Sequence, residues 1–347
     1  MKPISLAEAN VQYESSVRLR EFVEMCRFQM LARGKGTESV RIAKTHNASS
    51  RVLAGLMQKA DAGSTATGSA TNWGEELSAL SQAFIESLTT TGAFDRALPS
   101  MRLMPTQVRI SLTVGAAVGE EVAQGTIKRI SELTLANATL TERRVQTTIV
   151  IAVELARLAG PQGLQLLQSQ LRNATSTASD RLFVNTLSGG LTPIPSTGDP
   201  LADLSAAVES ISPTGDTSAL VAVLSSLNIK KLALWRGPTG GLAYPGLSAT
   251  CGGLIAGIQI LPSLAMADDQ MLVFDAQAIA ANGGRALPSG SHEAVITMDD
   301  DSGAITISLF GTNSVALRVE RVGFGFELMY PTGAALVDSI SYANTGS

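Results

Sequence analysis

Apolar positions along this chain fall into three successive rhythms, and each predicts a different kind of element. The first is helical. Leu19, Val23, Cys26 and Met30 recur three or four positions apart and predict a helix over 5–33, opened by a Ser5-Leu6-Ala7-Glu8 capping box and stopped at Gly34. Thr37-Glu38 opens a second short helix to about Thr45, and Ser50 opens a third to Lys59. A small-residue stretch at 61–71 follows, and Asn72 then caps a helix carrying Leu77, Leu80, Phe84 and Leu88. None of these pieces is apolar enough on two sides to form a domain. They read as a jointed arm that leans on something else, with Gly55–Ala70 exposed or clamped by neighbours and outside any domain core.

The second rhythm is alternation. Val108, Ile110, Leu112 and Val114 share one face and Gln107, Arg109, Ser111 and Thr113 the other, and a returning strand is expected over 143–153. Gly115, Gly119 and Gly125 mark the connection between them, so the pair predicts a hairpin longer than most connections in compact domains; long loops are usually functional or interactive.

The third rhythm is a single long stripe. After Gly160-Pro161, apolar residues at Leu164, Leu167, Leu171, Ala174, Ala178 and Leu182 predict a helix of some seven turns that ends before Gly189-Gly190. Beyond it, strands and helices alternate: a helix over 199–211 with Asp199 or Asp203 near its cap, a buried strand at Ala219–Leu224, a helix at Asn228–Trp235, strands at Leu254–Leu261 and Gln270–Asp275, and a helix starting near Asp275. Further strands are expected at 304–310, 314–321 and 334–342.

Composition adds two points. Only 16% of the 347 residues are charged, against about 25% in ordinary soluble proteins, which suits a chain that buries several flanks against other subunits. The charge is also unevenly placed: Met1–Ala60 holds ten Lys/Arg and five Asp/Glu, whereas Gly190–Phe310 holds four and eleven. That split suggests different neighbours for the two parts, either acidic patches of adjacent subunits or nucleic acid facing the arm. At 4% aromatic residues, stacking on bases is not the main mode. No run approaches 18 apolar residues and the first twenty lack an apolar h-region, so neither a membrane span nor a signal peptide is expected.

The catalytic inventory is thin. Cys26 and Cys251 imply no disulfide framework, and His46 and His292 stand beside no acid or nucleophile. Metal-ligand spacing, Gly-x-Ser-x-Gly and the phosphate-cradling glycine loop are all absent. The glycine-rich run Gly252–Gly257 reads as a tight bend between packed strands, and Asp299-Asp300-Asp301 as an acidic turn. No catalytic, cofactor-binding or metal-ligating residue is therefore assigned, and no cofactor is expected. A soluble α/β enzyme, the rival reading, would need convergent titratable groups.

Three segments carry a family resemblance: RRVQTTIVIAVELARLAGPQGLQLLQSQLRNATSTASDRLFVNTL at 143–187, GGLIAGIQILPSLAMADDQMLVFDAQAI at 252–279, and TISLFGTNSVALRVERVGFGFELMYP at 306–331, the last containing Asn-x-Val-Ala-Leu-Arg-x-Glu-Arg. In this order, behind the helical arm, they resemble the Hong Kong 97-like major capsid proteins of tailed double-stranded DNA bacteriophages. The resemblance implies an α+β fold: an N-terminal arm (1–92), an extended loop (104–145), a peripheral domain (146–189 and 304–347) around a long spine helix, and an α/β axial domain (190–303). It implies a structural protein, not an enzyme, self-assembling as hexamers and pentamers into an icosahedral shell around packaged DNA. It places the chain in the virion, assembled in the host bacterial cytoplasm. Further implied partners are a separate scaffolding protein or protease, a portal and a decoration protein, with no membrane. An encapsulin-like nanocompartment shell of the same fold is the nearer alternative.

Some members of the family weld their shells by joining a loop lysine to an asparagine with a glutamate as base. Lys128, Asn313 and Glu320 are the candidates here. Aligning Glu-Arg in register puts Thr312 and Val319 where the asparagine and glutamate should stand, and a one-residue slip turns a strand side chain to the wrong face. A shell held by burial and pairing alone is therefore expected.

Overall fold

A computed structural model describes residues 6–33, 35–61, 75–106, 109–113, 135–154, 161–211, 219–237, 241–291, 295–300, 303–309, 311–329 and 332–342. Mixed helices and sheets make it an α+β structure. Four N-terminal helices, α1 (Leu6–Leu31), α2 (Gly36–Thr45), α3 (Ser50–Asp61) and α4 (Glu75–Leu88), fall close to their expected bounds. Their apolar stripes converge: Phe22, Met25, Phe28, Leu80 and Phe84 are fully buried, and the Phe22 and Phe84 rings stack with centroids 4.7 Å apart.

What the helices lean on is this chain's own sheet. Their core is shared with Val315, Leu317 and Val319 of a long strand, β14 (Ser314–Leu328), and with Leu164, Leu167 and Leu171 of the long helix α6 (Pro161–Ser188). The expectation that Gly55–Ala70 stays out of a core fails at its start. Gly55 and Leu56 are buried, and a Cβ on Gly55 would lie 3.2 Å from Leu80 Cδ1, so a side chain there would crowd α4. Residues 62–74 lie outside the described residues.

A five-residue helix, α5 (Ala93–Ala97), leads into β1 (Arg102–Leu103). The first sheet then assembles in the order β1, β11 (Ile279–Ser291), β14, β4 (Arg143–Ala152). β11 and β14 pair antiparallel from Ile279↔Leu328 to Ser291↔Ala316. This corrects the helix expected near Asp275: the Asp275 carboxylate does accept the Gln277 N–H, but it opens only a 3-10 turn over Ala276–Ala278, and a thirteen-residue strand follows. The strand expected at 314–321 likewise runs on to Leu328, because β11 offers partners along its whole length.

The second sheet has seven strands in the order β5 (Ile194–Pro195), β15 (Ala334–Asp338), β10 (Met271–Asp275), β6 (Leu220–Ser225), β9 (Ile258–Ser263), β8 (Gly252–Ile255), β7 (Leu247–Ser248). The single strand expected over 254–261 is two, joined by an Ala256-Gly257 turn in which both residues have positive φ, 50° and 84°. Side-chain alternation divides the sheet's two faces. Ala222, Leu224, Met271, Val273 and Val337 pack under helices α7 (Pro200–Ile211) and α8 (Ser226–Ala233). Val221, Val223, Leu272, Phe274 and Leu336 face the C-terminal half of α6, α5 and the far end of β14.

Two further ribbons stand apart from both sheets in their strand pairing. These are β2 (Arg109–Thr113) with β3 (Leu135–Thr139), and β12 (Val295–Asp300) with β13 (Gly303–Ser308).

Candidate functional site: a buried ionic hub between two cores

Helix α6 joins the two cores, and its middle is polar. Leu164, Leu167 and Leu171 belong to the helical core, while Phe183, Val184 and Leu187 belong to the core beneath the seven-stranded sheet. Twelve residues at 100° each leave Phe183 roughly 120° round the helix from Leu171, so the buried face rotates along its length. The single stripe expected through Ala174, Ala178 and Leu182 therefore gives way: those three are half-buried, and Thr175, Ser176, Ser179 and Asp180 are buried instead.

These polar residues meet two others. Arg321 on β14 is the largest fully buried side chain among the described residues. Its guanidinium forms a bidentate pair with Asp95 of α5, Nη1 to Oδ2 at 3.1 Å and Nη2 to Oδ1 at 2.5 Å. Nη1 also donates to Ser179 Oγ (3.0 Å) and Nε to the Gly283 carbonyl (2.7 Å), and the plane lies 4.4 Å from the Phe324 ring centroid. Planar fork geometry and the aromatic face suit arginine and would not suit lysine.

Asp180 sits beside this pair and has no cation of its own. Its carboxylate accepts the N–H groups of Ala93 (2.9 Å) and Phe94 (3.0 Å) and the hydroxyl of Ser263 at the end of β9 (2.9 Å). Burial pushes its pKa up to about 6; the three donors pull it down and the Asp95 charge pushes it up further. Gly92 is pressed into the same knot, where a Cβ would lie 3.1 Å from Asp95 Oδ2 and 3.2 Å from Ser176 Oγ. The guanidinium serves Asp95, N–H and hydroxyl donors serve Asp180, and the knot ties α5, α6, both sheets and the approach from α4 together.

A second knot closes the seven-stranded sheet. Asp203, buried in the first turn of α7, accepts the hydroxyls of Ser196, Thr197 and Tyr342 and the Thr197 N–H. Burial and the Asp203 charge hold the Tyr342 phenol above its ordinary pKa. Asp199 caps α7 through the Leu201 N–H (3.2 Å), so both acids expected near this cap are used.

An open cleft of about 480 Å³ borders the hub, lined among others by Thr89, Arg96, Ser176, Asp180, Cys251 and Leu264. It brings no histidine to the carboxylate or the thiol. His46 is exposed at the end of α2, its ring 6.0 Å from that of Phe28, and His292 lies outside the described residues. Among the described residues no cluster of three metal-ligating side chains occurs, and no helix is long and apolar enough to cross a membrane. The Gly252–Gly257 run is the tight bend expected of it, turning at Ala256-Gly257 between β8 and β9; a Cβ on Gly252 would also lie 2.1 Å from the Ile260 carbonyl oxygen.

Of the three crosslink candidates, Asn313 and Glu320 lie within the described residues and do not meet within one chain. Lys128 lies outside the described residues. Asn313 occupies a positive-φ turn (46°) before β14, where its amide donates to Glu154. Glu320 lies seven residues along the strand, paired at 3.0 Å with Arg318. At about 3.3 Å per residue the two are roughly 20 Å apart.

Sequence reasoning passed over Arg321, Asp95 and Asp180. Arg321 had a signal, since it closes the Asn-x-Val-Ala-Leu-Arg-x-Glu-Arg stretch. The two acids had none beyond being lone charges among small and apolar neighbours.

No protein-family model and no curated protein matches the chain. It is similar to solved structures from Mycobacterium phage Ogopogo (19% identity, 70% of this chain and 91% of that one, TM-score 0.44), of the capsid of a native GTA particle (7%, 70% and 89%, 0.43), and of the virus-like particle from Pyrococcus furiosus (11%, 74% and 97%, 0.42).

Proposed function

We propose that this chain is a structural shell subunit, the major capsid protein of a tailed double-stranded DNA phage in the Hong Kong 97-like mould. The observation that carries the reading is the pair of free-standing ribbons. β2–β3 and β12–β13 each pair with no third strand among the described residues. A two-stranded ribbon is marginal alone in water, and an open edge is a template for another chain. A folded body braced by a buried hub and carrying such ribbons suits a subunit whose neighbours cover them. The low charge content points the same way.

In this reading residues 1–92 form the arm, 104–145 the extended loop, 146–189 and 304–347 the peripheral domain, and 190–303 the axial domain. Hexamers and pentamers close around packaged DNA. Within the arm Arg18, Arg41 and Arg51 pair with Glu14, Glu38 and Glu21. Arg20, Arg33, Lys35 and Lys44 are exposed and are the cations offered to phosphate. In this reading the shell is held by burial and pairing, without covalent welds; within one chain the Asn313 amide meets Glu154 and Glu320 meets Arg318.

The test is sedimentation of the expressed protein with nuclease treatment. Particles of megadalton mass holding nuclease-protected DNA support the reading. A stable monomer or dimer refutes a shell, and particles devoid of DNA but filled with protein cargo favour the nanocompartment.

A further inference from the structure

Two arginines reach the cleft beside the hub, and neither meets an acid among the described residues. Arg96 of α5 lines the cleft half-buried, and its one partner there is the Cys251 carbonyl, which accepts from Nη2 at 2.7 Å. Arg172 of α6 donates from Nη2 to the hydroxyl of Thr90 (3.0 Å), which lines the cleft, and its buried Nε has no partner. A guanidinium bonded only to a neutral carbonyl or hydroxyl keeps its charge uncompensated and most of its five donors unspent. Arg321, by contrast, has the Asp95 carboxylate.

One turn on from Arg172 stands Ser176, which also lines the cleft and is only 4% exposed. Its hydroxyl makes no hydrogen bond to any described residue. A buried hydroxyl left unmatched is costly, so this one points to a group that completes it. Ser226, the first residue of α8, lines another part of the wall and brings the positive end of that helix to the same space. Asp180 is the only acid in the lining, and its oxygens are already taken by the Ala93 and Phe94 N–H groups and the Ser263 hydroxyl. The unspent groups of the cleft are therefore donors, and two of them carry charge.

We infer that this cleft binds a phosphate monoester, with its oxyanion on Arg96, Arg172 and Ser176. The volume of about 480 Å³ leaves room for an organic group as well. Pro262 and Leu264, the latter 75% exposed, supply an apolar wall for it. A carboxylate matches the site less well. Its two coplanar oxygens suit one guanidinium fork, whereas the donors here come from α5 and from two turns of α6. The bound anion would tie α5 to α6 and so stabilise the fold. Binding is a property of the folded chain and does not depend on the shell reading.

The experiment is isothermal titration calorimetry of the full-length chain with inorganic phosphate and with phenyl phosphate, at constant ionic strength set by sodium chloride. Saturable, equimolar binding of both is expected, tighter for phenyl phosphate, and the thermal midpoint should rise with either. Arg96→Gln and Arg172→Gln are each expected to weaken binding by about tenfold or more, and Ser176→Ala by about fivefold. Arg181→Gln, exposed on the same helix but outside the cleft, should bind as wild type does. All titrations run well below each variant's own melting temperature, so lost binding is not lost fold. If Arg96→Gln does not fold, Arg96→Lys, which keeps the charge without the fork, replaces it and is expected to bind more weakly than wild type. No saturable heat with either probe would overturn the site. So would wild-type binding by the Arg96 and Arg172 variants, or an equal loss in Arg181→Gln. A short DNA duplex separates a free monoester from a backbone phosphate. It is expected to bind wild type and Arg96→Gln alike; a duplex that displaces phenyl phosphate from wild type and fails to bind Arg96→Gln would overturn the monoester assignment.

Discussion

Arg321 and Asp95 stand 226 positions apart in the chain and form an ion pair in which neither side chain reaches solvent. Two buried charges are costly to desolvate, and their attraction offsets that only because the fork is bidentate and Ser179 and Gly283 accept two further donors. Removing one partner leaves the other charged and alone. Arg321→Met or Asp95→Leu is therefore expected to cost about 3–5 kcal/mol. The double variant Arg321→Met/Asp95→Leu should cost less than the two single losses added. Urea unfolding of the four proteins measures this cycle, and additive losses would show that the pair is not coupled.

Asp180 gives a pH dependence of defined sign. Its folded pKa, about 6, lies above the ordinary value of 3.8, so the folded chain holds the proton more tightly than the unfolded chain does. The resulting stability is fully present below pH 4 and is lost as pH rises through 6. The loss between pH 4 and 7 is on the order of 3 kcal/mol. Unfolding free energies of wild type and Asp180→Asn across this range test it: the difference between them should carry the slope, and a pH-independent difference contradicts the assignment.

Leu171 lies where α6, the N-terminal helices and β14 meet, with no exposed surface. Leu171→Ala is expected to cost about 2–5 kcal/mol. Leu171→Asp places an unpaired charge there and should leave no soluble folded protein. Leu166, one turn away and 57% exposed, should tolerate alanine within about 0.5 kcal/mol. Thermal melts of the alanine variants and soluble yield of Leu171→Asp separate these outcomes.

Deleting residues 1–60 removes α1, α2 and nearly all of α3, and with them Phe22, Met25, Phe28 and Leu56 from the core they share with Val315, Leu317 and Val319. The truncated chain is expected to expose that face of the four-stranded sheet and aggregate. Circular dichroism and light scattering check this. A truncated monomer with a sharp melt would show that the arm is dispensable to the fold.

The elements that were legible in the sequence are those with a strong local signal. Helices α1 to α4 and α6 carry stripes, caps and glycine stops, and the structure moves their ends by only a few residues. Strand β11 was not legible. Its sequence, IAANGGRALPSGS, is small, glycine-rich and without alternation, and twelve pairs to β14 impose the strand on it. The ionic hub was hidden for a related reason. Nothing local tells that Asp95, Asp180 and Arg321 meet, and α6 shows a run of alanines that periodicity selects over Thr175, Ser179 and Asp180. Ser179 is inside because it meets the Arg321 guanidinium, Asp180 because two N–H groups wait for it, and Thr175 because its hydroxyl reaches Thr147.

The proposal that the shell carries no covalent weld has a direct readout. Particles boiled in denaturing detergent are expected to run as one band near 36.1 kDa. A ladder of multiples that disappears in Lys128→Arg would make Lys128, Asn313 and Glu320 a self-catalysed site between copies.

The central claim is that this chain encloses a volume. Electron microscopy of the purified, expressed protein addresses it most directly. Closed shells of uniform diameter, with six-fold and five-fold clusters on their surface, are the expected result. Fields of single molecules or small discrete oligomers, at concentrations where the chain remains folded, would contradict it.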